Sequence, residues 1–199
     1  MIIADVEQGT EEWFAARLGI PTASGFDKIV TTKGEPSKQA LKYMYQLAGE
    51  RVSGIKEESY ESAAMRRGKD VEQEARDFYE LTQGVEILKV GVCYPDKKKR
   101  YGSSPDGLIG EDGGVEIKCP IMSTHVGYLL DGGLPMDYFQ QVQGNLLVTG
   151  REWWDFLSYY PGLKPLLIRI TPDKDFLKAL SAQIEIFCKN LDEIVSKIR

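Results

Sequence analysis

The sequence predicts a mixed α/β fold, a central mixed β-sheet flanked by helices. Two observations carry this. Short runs rich in Val, Ile, Tyr and Trp cluster at 85–94, 101–109, 114–119, 153–159 and 165–172. Around them lie stretches whose apolar residues recur every three or four positions. With 199 residues, 42% of them hydrophobic, the chain can fill one sizeable core, and we read residues 1–199 as a single domain.

Each element has its own local signal. Residues 10–19, TEEWFAARLG, open with Thr and two acids, carry Trp13, Phe14, Ala16 and Leu18, and stop at Gly19, as a short capped helix does. TASGFDKIV starts a second helix at Thr22 or Ser24. Over 38–52, Leu41, Tyr45, Leu47 and Ala48 fall at helical intervals before Ser53-Gly54. Residues 60–83 place Ala63, Val71, Ala75, Phe78, Tyr79 and Leu81 along a long helix that ends before Gly84. The five strand segments follow, bounded by Gly, Pro or Asp. Between the third and fourth, 136–148 reads as a helix with Phe139, Val142, Leu146 and Leu147 on its apolar side. The closing helix, 173–198, repeats Phe176, Leu180, Ile184, Phe187, Leu191, Ile194 and Ile198.

Composition excludes several functions. A formal net charge of −5 offers no global positive field to a polyanion, so nucleic acid would have to be held by local basic patches. Cys93, Cys119 and Cys188 show no CxxC spacing, which argues against a disulfide framework or a four-cysteine cluster and suits a reducing compartment. His125 is the only histidine, so a multi-histidine metal site is excluded. No apolar run reaches the ~18 residues of a membrane span, and no basic-then-apolar leader opens the chain. A soluble cytoplasmic protein without membrane contact is expected.

The chemistry concentrates in GSSPDGLIGEDGGVEIKCP, 102–120. Strand alternation puts Glu116 and Lys118 on one face, and Val115, Ile117 and Cys119 on the other. A solvated edge strand shows the same pattern. However, Asp106 lies ten positions before Glu116 across a glycine-rich turn, and a hairpin there brings the two carboxylates together. Two carboxylates beside an ammonium suit a hard divalent cation such as Mg²⁺, with room for phosphate oxygens. Glu72 and Arg76 are four apart and can share a helix face, as an ordinary surface ion pair also would. Arg17 and Ser24 flank a glycine-containing bend and suit a terminal phosphate; an exposed Arg and a capping Ser are the alternative. Lys97 to Arg100, KKKR, reads as a solvated hairpin tip, and Trp13, Trp153 and Trp154 as core or subunit-contact residues.

Asp106, Glu116 and Lys118 resemble the PD…ExK signature of restriction-endonuclease-like nucleases. Four further stretches sharpen the resemblance: RLGIPTAS at 17–24, GKDVEQEARDFYELTQG at 68–84, SSPDGL at 103–108 and FQQVQGNLLVTG at 139–150. In this order, over most of the chain, they are similar to the lambda-exonuclease and YqaJ-type viral recombination exonucleases. The resemblance implies a restriction-endonuclease-like sheet and a Mg²⁺-dependent 5′-to-3′ exonuclease, with Mn²⁺ as a substitute ion. It assigns Asp106, Glu116, Glu72 and the carbonyl of Ile117 to the metal, Lys118 and Gln141 to the reaction, and Arg17 with Ser24 to a DNA 5′-phosphate. Gln143 is a weaker candidate than Gln141, and Ser104 serves either the site or the turn.

It further implies double-stranded DNA ends as substrate, 3′ single-stranded tails for recombination, a ring-shaped homotrimer, a phage single-strand annealing protein as partner, and a phage-encoded protein in a bacterial cytoplasm. The competing expectations are another nuclease with this core, such as an endonuclease, and a non-catalytic DNA-end-binding assembly protein.

Overall fold

Residues 107–118 and 153–170 supply four strands of one sheet, being rich in aliphatic and aromatic residues without helix-forming periodicity. The computed structural model describes residues 1–56 and 63–199. Its strands are β1 (Ile2–Ala4), β2 (Ile87–Leu88), β3 (Val92–Tyr94), β4 (Gly107–Ile109), β5 (Gly113–Lys118), β6 (Trp153–Ser158) and β7 (Leu166–Ile170). Five form a sheet in the order β2-β4-β5-β6-β7; β1 and β3 pair separately. The β5–β6 pair is parallel and the other three are antiparallel, so the expected mixed sheet is present.

The helices are α1 (Glu11–Arg17), α2 (Ala40–Ser53), α3 (Ala63–Gln83), α4 (Met122–Asp131), α5 (Phe139–Thr149) and α6 (Lys174–Ile198). Thr10 caps α1 by accepting from Trp13 N at 3.3 Å, and Asp173 caps α6 by accepting from Phe176 N at 3.0 Å. Ala75 and Tyr79 of α3 cover one sheet face over Val115, Ile117 and Leu157. On the other face, α2, α5 and α6 pack Leu47, Val142, Leu146, Leu180 and Ile184 against Leu108, Trp154 and Phe156. Each such fully buried side chain stabilises the fold by about 1.5–3 kcal/mol.

The β-strand that carries Glu116 is therefore central, with β4 on one side and β6 on the other, and the solvated edge-strand alternative falls. Gly114 belongs to the same design. A Cβ there would meet the Trp154 ring at 2.4 Å, so glycine lets the indole lie flat on β5.

Several expectations are corrected. The run 85–94 divides between two sheets, because Gly91 passes so close to Val6 that a Cβ would lie 2.1 Å from its carbonyl oxygen. Of 101–109, only Gly107–Ile109 is strand; Gly102 and Ser103 make isolated bridges to Thr22 and Cys93. The helix expected at Thr22 or Ser24 is a 3-10 turn, Ala23–Lys28, and that expected over 136–148 begins as another, Met136–Tyr138. Residues 60–62 of the long helix lie outside the described residues. β1 and α4 were not anticipated.

Candidate active site

The β4–β5 hairpin brings the charges together. Pairing ends at Gly107 opposite Val115, so Asp106 emerges where the ladder stops, and its Oδ2 accepts from the backbone N–H of Ile117 at 2.7 Å. Within a strand the N–H and C=O of one residue face the same side. The Ile117 carbonyl thus lies on the Asp106 side of β5, beyond the paired ladder. The neighbouring Lys118 carbonyl faces β6, where it accepts from Tyr159 N at 2.9 Å.

Glu116 points the other way, under α5, and is 1% exposed. Its Oε1 accepts from Lys118 Nζ and from Gln141 Nε2, both at 2.5 Å, and its Oε2 accepts from Asn145 Nδ2 at 3.0 Å. Burial, and then the Asp106 carboxylate, push the pKa of Glu116 up to about 7, above the ordinary carboxylate range, while Lys118 and Asn145 pull it back. Burial pulls the Lys118 ammonium down, but Glu116 and Asp106 outweigh it and hold the group above the usual lysine value. Lys118 is a fixed cation here, with Tyr138 presenting its ring 5.2 Å from Nζ.

Glu72 comes from α3 and lines, with Arg76 and Asp106, a cleft of about 480 Å³ beside the N-terminal segment Asp5 to Gln8. Burial and the Asp106 charge raise its pKa; Arg76 opposes them. Asp106, Glu116, Glu72 and the Ile117 carbonyl make an oxygen-only donor set, the chemistry that suits Mg²⁺. Among the described residues no three Asp, Glu, His or Cys side chains converge closely enough to enclose an ion alone.

Arg17 and Ser24 are brought together elsewhere, in a separate cavity of about 280 Å³ that Thr22, Lys28, Tyr43 and Glu50 also line. Arg17 Nη2 reaches Thr22 Oγ1 at 3.4 Å, and Thr22 Oγ1 lies 3.3 Å from Ser24 Oγ. The guanidinium stacks 4.2 Å from the Trp13 ring. Burial lowers its pKa, with Tyr43 and Tyr94 opposing; an arginine keeps its charge regardless. Trp13 Nε1 in turn donates to Ser104 Oγ at 3.1 Å, which links this cavity to the residue two before Asp106.

The family model for the YqaJ-like viral recombinase domain matches residues 12–152, a span that holds both clusters. The chain belongs to the YqaJ-like viral recombinase family. Among curated proteins none matches it. Among solved structures, this YqaJ-like chain is similar to the alkaline exonuclease LHK-Exo from Laribacter hongkongensis, with 34% identity, 95% of this chain and 96% of that one covered, and a TM-score of 0.86. The complex of LHK-Exo with dAMP matches with the same values. A phage related exonuclease from Haemophilus somnus 129PT, at 14% identity with 90% of this chain and 96% of that one covered, gives a TM-score of 0.70 and shows the shared fold.

The other singled-out residues of the YqaJ-like chain fall outside the clusters. Gln143 turns away from Glu116; it donates to the Thr171 carbonyl at 3.0 Å and accepts from Asp173 N at 2.9 Å. His125 is buried, with Nε2 against the Lys164 carbonyl at 2.9 Å and Nδ1 against Ser158 Oγ at 2.7 Å, partners that one neutral tautomer satisfies. Lys97 to Lys99 are exposed, whereas Arg100 pairs with Glu185 on α6 at 2.7 Å. Trp154 is core, and Trp153 lies under Arg169 at 3.7 Å. Sequence reasoning missed Asn145, although its four-residue spacing from Gln141 was a usable signal.

Proposed function

We propose that this YqaJ-like chain is a divalent-metal-dependent exonuclease that digests the 5′-ended strand of linear duplex DNA and leaves 3′ single-stranded tails for annealing-type recombination. The observation that carries this reading is the Asp106–Ile117 hydrogen bond beside the ion pair of buried Glu116 with Lys118, in a chain 34% identical to an alkaline exonuclease. Asp106, Glu116, Glu72 and the Ile117 carbonyl would hold Mg²⁺, or Mn²⁺ in its place. When bound, the ion supplies Lewis-acid polarisation of the phosphodiester.

The chain's own residues do the rest. The Lys118 ammonium neutralises charge that develops on the phosphoryl oxygens. Gln141, tied to Glu116 through its amide nitrogen, keeps its carbonyl oxygen free to orient an attacking water. Arg17, with Ser24 and Thr22 beside it, holds the 5′-phosphate of a duplex end by charge-assisted hydrogen bonds. Family similarity favours a homotrimeric ring around the duplex, which lets an acidic chain stay on DNA by topology rather than by charge, and a phage-type single-strand annealing protein as the user of the tails.

Purified protein incubated with Mg²⁺ and equal masses of linear and covalently closed circular duplex tests this reading. Linear duplex should yield mononucleotides from its 5′-ended strands and leave single-stranded polymer, and circular DNA should be spared, with no reaction after chelation. Cleavage of the closed circle at a comparable rate would instead support an endonuclease.

A further inference from the structure

Arg76 is 6% exposed and takes no part in the steps above, yet its guanidinium spans two parts of the proposed ion site. Nη2 donates to Glu72 Oε1 at 3.2 Å, one helical turn back on α3, and Nη1 donates to the main-chain carbonyl of Asp106 at 2.5 Å. The chain can pass this close because residue 107 is glycine. A Cβ there would meet Ile87 Cγ2 at 2.0 Å and lie 3.4 Å from Arg76 Nη1. Asp106 is thereby held at its carbonyl by Arg76 and at its carboxylate by Ile117 N–H. The preceding carbonyl, of Pro105, accepts from Gln8 Nε2 at 2.9 Å. The Glu72 side chain, 41% exposed, lacks such packing and depends on Arg76 for its direction.

We infer that Arg76 is a positioning residue of the ion site, holding the Glu72 carboxylate against the Asp106 corner. This rests on the proposed assignment of Asp106 and Glu72 to that site. Burial keeps the guanidinium from DNA phosphates, and its divergent donors, one for each acceptor, are what a surface ion pair would not require. Lysine would carry the same charge on a single nitrogen and could not serve both acceptors with the arginine geometry.

The test is calorimetric titration of Mn²⁺ into the DNA-free full chain, for wild type, Arg76→Lys, Glu72→Gln and the double variant, with thermal melts as a check on folding. Arg76→Lys should weaken Mn²⁺ binding roughly tenfold, the usual cost of losing a residue that orients a ligand. In the Glu72→Gln background the same change should cost less than about threefold, because residues that act as a unit are not additive. Equal losses in both backgrounds, or wild-type Mn²⁺ affinity in Arg76→Lys, overturn the inference.

Should Arg76→Lys fail to fold, Glu72→Asp decides. It keeps the carboxylate but shortens its reach to Arg76, so it should bind Mn²⁺ as weakly as Glu72→Gln, and wild-type affinity would overturn the role. Asp106→Asn separates the two levels of argument. If it binds Mn²⁺ like wild type, the site assignment falls and the inference with it. If it loses Mn²⁺ while the Arg76–Glu72 cycle is additive, only the inference falls.

Discussion

The backbone N–H of Ile117 donates to the Asp106 carboxylate at 2.7 Å, so one hydrogen bond closes the hairpin mouth and places the Ile117 carbonyl on the Asp106 side of β5. Asp106→Ala removes both a proposed ligand of the ion and this closure, and Lys118→Ala removes only the cation. Both variants should lose at least about 10²-fold in turnover, the scale for loss of a group that stabilises transition-state charge. Mn²⁺ binding should disappear in Asp106→Ala and persist in Lys118→Ala. Near-wild-type turnover in either variant, with Mg²⁺ saturating, would contradict the assignment.

Asn145 holds the second oxygen of a carboxylate that is almost wholly buried. Asn145→Ala leaves that oxygen short of a donor, at a cost of about 1–3 kcal/mol. The melting temperature of the metal-free protein should fall, and turnover should drop with it, because Glu116 loses one of its three restraints. A melting temperature and rate equal to wild type would show that Asn145 does not orient Glu116.

Arg17 lines a cavity distinct from the Asp106 cleft. Its loss should therefore spare the chemistry and remove end selection. Arg17→Ala should degrade 5′-phosphorylated duplex no faster than 5′-hydroxyl duplex, with Mn²⁺ affinity unchanged, and Arg17→Lys should recover part of the preference. First-cleavage rates on both end types measure this. A full phosphate preference in Arg17→Ala would remove Arg17 from end reading.

Burial pushes the thiols of Cys93, Cys119 and Cys188 up to about 11. At pH 8 all three stay protonated, and the thiolate is the reactive form. Native protein should react with iodoacetamide roughly a hundredfold more slowly than denatured protein, with activity retained throughout. Rapid loss of activity on alkylation would mean that a thiol serves the site.

Much of this was legible in the sequence because the signals were local. The alternation in VEIK put Glu116 and Lys118 on one face, the turn signals placed Asp106 beside them, and helix spacing joined Glu72 to Arg76. What stayed hidden depends on partners distant in the chain. Asn145 meets Glu116, 29 residues earlier, and only its spacing from Gln141 hinted at this; nothing near Arg76 points to the carbonyl of Asp106. Helix α4, MSTHVGYLLD, has a glycine in its middle and almost no charge, so it lacks a polar face to contrast with an apolar one. The run 85–94 reads as one strand because both halves are β-formers; only the approach of Val6 to Gly91 divides it.

The central claim is that this chain removes nucleotides from the 5′-ended strand of a duplex end, and its most direct test follows the two ends separately. A linear duplex with 5′-phosphates carries one label in the 5′-terminal nucleotide and a different label in the 3′-terminal nucleotide of the same strand. With Mg²⁺ and one blocked end, the account predicts that the 5′ label appears first as a mononucleotide, while the 3′ label stays in polymer until that strand is nearly consumed. Release of the 3′ label first, or of both labels together within oligonucleotides, would contradict it.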